Sequence, residues 1–171
     1  MAIHLNWGFN MINIASDGSI YLMESIRLNS DVTKIELIPT EKDWEEWIKN
    51  ELGEVVSYRK IIFDKKETFG ELYLIVTFTS PVNDRSLLCS WFLAPEKLID
   101  GKQSKPEGKV TKALRQWFFE RTGQTIPYGN EREHIDAVYD HWNCAGGIVC
   151  NYRTSFKTQN EWDEYKKNNK F

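Results

Sequence analysis

The sequence predicts an α+β fold, an antiparallel sheet of about six strands with helices packed on it. Three observations carry that expectation. Strand-like runs joined by short polar turns fill residues 1–99, the pattern of hairpins rather than of long crossovers. Helical periodicity is concentrated late, over 109–171. The regular β-α-β-α alternation that builds a parallel sheet is missing.

The first hairpin joins FNMINIA (9–15) to IYLMES (20–25) through Ser16-Asp17-Gly18-Ser19, since Asp-Gly supplies the positive φ of a tight turn. Asn29-Ser30-Asp31 then turns the chain into KIELIP (34–39), a third strand stopped by Pro39. Thr40, with Asp43 three residues on, approximates a capping box. Trp44, Trp47, Ile48 and Leu52 follow at helical spacing, and Gly53 closes a helix over 40–53. Three strands are expected next, at 54–63, 71–78 and 86–94. The middle one, ELYLIVTF, is apolar on both faces and should lie centrally with both sides covered.

The loop 100–108 leads to a helix over 109–122, with Val110, Leu114, Trp117 and Phe118 on one face and Gly123 at its end. Asn130, followed by Glu133, is read as the N-cap of a further helix to about Asn143. A short strand at 147–152 follows, and Thr158 with Glu161 caps a terminal helix carrying Trp162 and Tyr165. The expected order is βββα-βββ-αα-β-α, in a single globular domain over 1–171, sheet-rich to residue 99 and helix-rich from 109. A chain of this size buries about 70% of its extended surface, enough for a core without disulfides or metals.

Composition narrows the class. Hydrophobic residues make up 41% and aromatics 13%, with seven tryptophans, which excludes intrinsic disorder. Three cysteines are no disulfide framework. The N-terminal MAIHLNWGFNMINIAS lacks the basic and apolar regions of a signal peptide, and no run reaches 18 apolar residues. A cytoplasmic protein without membrane contact is expected. Walker A, GxGxxG, GxSxG and HExxH patterns do not occur, so no cofactor is expected either.

The stretch HIDAVYDHWNCAGGIVC (134–150) concentrates two histidines and two cysteines. On a helix, His134 and His141 would share a face but stand about 10.5 Å apart along the axis, too far for one metal ion. His141, Cys144 and Cys150 could converge around Gly146-Gly147 as a thiolate–imidazole enzyme site, without the local signature of any cysteine enzyme. The plainer reading makes Ile135, Val138, Tyr139 and Trp142 a core stripe and Cys150 a small buried residue. That reading is preferred, with no metal and no catalytic residue assigned.

Charge supplies the remaining candidates. Residues 102–123 hold six basic and two acidic side chains in a chain of net charge −3. Lys105, Lys109, Lys112 and Arg115 form a candidate phosphate- or nucleic-acid-binding segment within 102–121. The segment 41–54 is acidic, with Lys42 and Lys49 against six carboxylates. Glu41, Asp43, Glu45, Glu46 and Glu51 are therefore candidate contacts to a basic protein partner. The resulting expectation is a small non-catalytic protein-binding module, of inhibitor or immunity type, acting through an acidic surface. The alternatives are phosphate or nucleic-acid binding through the basic segment and an enzyme using a Cys/His pair in 141–150.

Overall fold

A computed structural model describes residues 12–23, 25–63, 71–95, 107–140 and 145–170. The first hairpin forms as the Asp-Gly dipeptide requires. Gly18 takes φ +83°, Asp17 accepts from the Ser19 amide at 2.9 Å, and strands β1 (Ile12–Ile14) and β2 (Ile20–Leu22) pair antiparallel. With β3 (Ile26–Leu28) they make a three-stranded sheet.

A larger sheet of seven strands follows, antiparallel at every pairing. It contains β4 (Glu45–Lys49), β5 (Val55–Phe63), β6 (Glu71–Phe78), β7 (Leu88–Pro95), β8 (Tyr128–Gly129), β9 (Glu133–Asp140) and β10 (Ala145–Tyr152), in the spatial order β4-β5-β6-β7-β10-β9-β8. Helices α1 (Lys34–Leu37), α2 (Glu107–Thr122) and α3 (Gln159–Asn169) complete the α+β architecture.

Period-two alternation defines the core. Leu72, Leu74, Val76 and Phe78 of β6 are all buried. Trp91 and Leu93 lie opposite Val76 and Leu74, and Cys150 and Ile148 lie opposite those two. Helix α2 lays Val110, Leu114, Trp117 and Phe118 on this face, as its sequence predicts, and Ile12, Ile20, Leu22 and Leu28 of the small sheet close the same cluster. A β-carbon at Gly146 would stand 2.3 Å from Val110 Cγ1, so the absence of a side chain there lets α2 approach β10.

The opposite sheet face is only partly covered. Tyr73, Ile75 and Thr77 of β6 are half-buried, so ELYLIVTF is an inner strand sealed on one side rather than on both. Near β9 and β10 this face carries a second cluster, in which Trp162 of α3 stacks on Tyr165 at 5.6 Å and packs against Phe156 at 5.3 Å. The expected Thr158–Glu161 capping box starts α3.

Three segments differ from the sequence expectation. KIELIP is not a strand, because Thr33 and Glu36 form a capping box that opens the short helix α1. Residues 40–53 are not a helix but a 3-10 turn (Glu41–Asp43), the strand β4 and a turn at 50–53. Residues 133–140 are strand β9 rather than part of a helix over 130–143, because β10 offers eight consecutive residue partners. Asn130 still makes cap-like bonds, its Oδ1 accepting from the Arg132 and Glu133 amides, but they lead into the strand.

Candidate partner-binding interface

β4 is the outermost strand at one end of the large sheet and pairs only with β5, leaving its other edge unpaired among the described residues. All five of its residues are exposed. The pairing runs Glu45↔Arg59 and Glu46↔Tyr58, then slips, so that Ile48 rather than Trp47 lies opposite Ser57. The extra residue is a β-bulge, which re-aims side chains and interrupts regular pairing. Trp47 and Ile48 are 45% and 49% exposed, against the rule that large apolar groups leave solvent.

Trp47 is fixed in place. The guanidinium carbon of Arg59 sits 4.1 Å from the centroid of the Trp47 ring and 5.0 Å from that of Tyr73, so the planar cation lies between two aromatic groups. Glu45 Oε2 accepts from Arg59 Nε at 3.1 Å and from Nη2 at 2.5 Å. Ile61, 50% exposed, extends the same face two residues along β5.

The adjoining turn is also well braced. Asn50 Oδ1 accepts from the Leu52 and Glu54 amides, and Gly53 takes φ +78°. The Glu54 carboxylate takes bonds from the Asn50 side chain, the Ser80 hydroxyl and the Val82 amide, and these donors hold its pKa below the ordinary value. Leu52, at the tip, is 90% exposed.

The five candidate carboxylates surround this edge, though not as one helical face. Glu41 and Asp43 lie on the 3-10 turn, Glu45 and Glu46 on β4, and Glu51 in the hairpin turn. Strand alternation sends Glu45 and Glu46 to opposite sheet faces. Glu41 pairs with Lys34 at 3.2 Å and Glu46 with Lys49 at 3.4 Å, while Asp43 and Glu51 have no ion pair among the described residues. The cation–aromatic pair Trp47–Arg59 is not legible in the sequence, where the helical spacing of Trp44, Trp47, Ile48 and Leu52 predicts a helix. A bulge has no residue signature, so nothing local distinguishes this edge from a helix.

The basic segment is placed less favourably for phosphate. Lys105 lies outside the described residues. Lys109 and Lys112 are exposed on α2, and Lys112, Arg115, Gln116, Phe119, Thr125 and Ile126 line an open groove of about 470 Å³. Arg115 is already engaged there. Its Nε and Nη2 donate to the two oxygens of Asp136 at 3.0 and 3.1 Å, so a phosphate would have to displace a bidentate carboxylate.

His141 and Cys144 lie outside the described residues. Cys150 is fully buried opposite Trp91, and burial pushes its thiol well above the usual range, away from the thiolate a nucleophile needs. His134 is buried on the other sheet face, its Nδ1 sharing a 2.7 Å hydrogen bond with the Tyr165 hydroxyl, which also accepts from Asn151. Burial holds its pKa below the ordinary value, against an opposing pull from Asp136. As pH falls through about 6.5 the unfolded chain therefore takes up this proton first, and the folded state loses stability. Urea midpoints measured between pH 7 and pH 5 should fall more steeply in the wild type than in His134→Asn, whatever constant offset the substitution adds. Parallel curves would contradict this assignment.

No curated protein matches the chain. A solved structure described as "Rhs1-CT in complex with cognate immunity protein RhsI1" contains a chain that superposes with a TM-score of 0.81 at 42% identity, over 94% of this chain and 98% of that one. The family model described as "RhsI1 immunity protein" matches residues 11–171. With a family model that spans nearly the whole of the sequence, the chain belongs to the RhsI1 immunity protein family.

Proposed function

We propose that this protein binds the C-terminal domain of a cognate Rhs toxin in the cytoplasm and silences it by stoichiometric contact. The observation that carries this reading is the 42% identity to a chain solved in a complex of Rhs1-CT with its cognate immunity protein. The β4 edge is the contact surface in this reading, with Glu41, Asp43, Glu45, Glu46 and Glu51 facing basic side chains of the toxin domain. Protein-binding immunity needs no reacting group, and the buried state of Cys150 agrees with that.

Co-expression tests the function directly. Cells producing the cognate toxin domain should survive with this protein and die without it, and the two purified proteins should elute together. Survival without a complex would point to some other mode of protection. The carboxylates have their own test. Asp43→Lys combined with Glu51→Lys should slow association by about tenfold at low salt, with the difference shrinking as salt is raised, because rim charges act mainly through steering. Equal association rates at low salt would remove these residues from the interface.

A further inference from the structure

We infer that Trp47, clamped by Arg59, is the anchor of the toxin contact, and that its complement is an apolar pocket rimmed by lysine or arginine on the toxin domain. This rests on the functional reading above and adds which side chains hold the partner. The carboxylates bring the proteins together, and the aromatic clamp keeps them together.

The argument begins with exposure. Trp47, Ile48, Ile61 and Leu52 all lie on or beside the β4 edge, and all are at least 45% exposed. Large apolar side chains held in water beside charged groups are features of contact sites on soluble proteins. Tryptophan, tyrosine and arginine are also the residues that dominate binding energy where they are packed and then desolvated.

Preorganisation is the second observation. The Trp47 ring is stacked on a guanidinium that Glu45 holds by two hydrogen bonds and that Tyr73 backs from its own strand. Less side-chain freedom is then lost when the ring enters a pocket. Arg59 acts here as a positioning residue. The sign of the surroundings sets the rim of the pocket, since residues 41–54 carry six carboxylates against two lysines, a net charge of −4. An edge strand could instead recruit a partner through its backbone, by adding a strand. The slip at Trp47 breaks the regular ladder such an addition would extend, which favours recognition through the side chain.

Binding of the full-length protein to its cognate toxin domain, followed by calorimetry and by association and dissociation rates, tests the anchor. Trp47→Ala should weaken binding by about thirtyfold or more, mostly by faster dissociation, as hot-spot truncations do. Trp47→Phe should recover part of the loss. Arg59→Lys, which keeps the charge but gives up the planar stack, should speed dissociation by about fivefold while association stays within about twofold. Lys112→Glu, in the α2 groove, should change neither rate. Unchanged thermal melting of each variant separates lost binding from lost folding, and the exposure of Trp47 makes that outcome expected. If the wild type binds and Trp47→Ala binds within threefold of it, the anchor is overturned while the immunity function stands. If the wild type does not bind at all, the functional reading falls and takes the anchor with it.

Discussion

Trp91→Ala is expected to destabilise the fold by about 3–5 kcal/mol, the cost of removing a fully buried aromatic side chain and leaving a cavity. Trp91 is 1% exposed in the middle of the large sheet, between Val76 of β6 and Cys150 of β10. Its Nε1 donates to the Tyr152 hydroxyl at 3.2 Å, so alanine also removes a buried hydrogen bond between residues 61 positions apart. For a chain of this length the melting temperature should fall by roughly 6–20 °C. Trp91→Phe refills most of the volume but not the donor, and should lose only about 1–3 kcal/mol. Urea denaturation of both variants measures this. A loss below about 1.5 kcal/mol for alanine would mean that the site collapses around the cavity.

Gly146→Ala has the second largest expected effect, about 1–3 kcal/mol, although it adds a single methyl group. The new carbon would meet Val110 Cγ1 at 2.3 Å and Leu114 Cδ1 at 3.2 Å, both on the core face of α2. Val110 cannot readily turn aside, because a β-branched side chain in a helix is held to one rotamer. Relief therefore requires α2 to lift from β10, which disturbs the packing of Trp117 and Phe118 as well. Gly108→Ala is the matched control on the same helix, since its β-carbon would meet nothing within 4 Å, and it should be neutral or slightly stabilising. Equal stabilities for the two variants would refute the close approach.

The sequence was most legible where local chemistry and tertiary packing agree. Asp17-Gly18 forces its hairpin, Thr158 and Glu161 start α3, and Val110 to Phe118 form the buried stripe of α2. Reading failed where two periods fit the same residues. Ile135, Val138 and Tyr139 suit a helix, yet Ile135 and Ala137 alternate into the core from a strand, and only pairing with the next strand, β10, decides between them. Trp44, Trp47, Ile48 and Leu52 misled for a different reason. An apolar stripe predicts a buried face, whereas Trp47, Ile48 and Leu52 stay in water at the sheet edge. The start of α1 is written in Thr33 and Glu36, a capping box that outweighs the strand-like pattern of KIELIP.

The order of the large sheet also governs how the protein can assemble. Strands β4 to β7 form a meander whose neighbours follow one another along the chain, so their pairings close short loops. The next neighbour of β7 is β10, more than fifty residues later, beyond α2 and the β9 strand. Closing that gap carries a larger loop entropy, and it must wait until residue 152 has been synthesised. The β4 edge belongs to the early half and the Trp91–Tyr152 contact to the late one. During synthesis the β4 edge can therefore take shape ahead of the seam between β7 and β10, so that recognition surface and closing seam belong to different stages of folding.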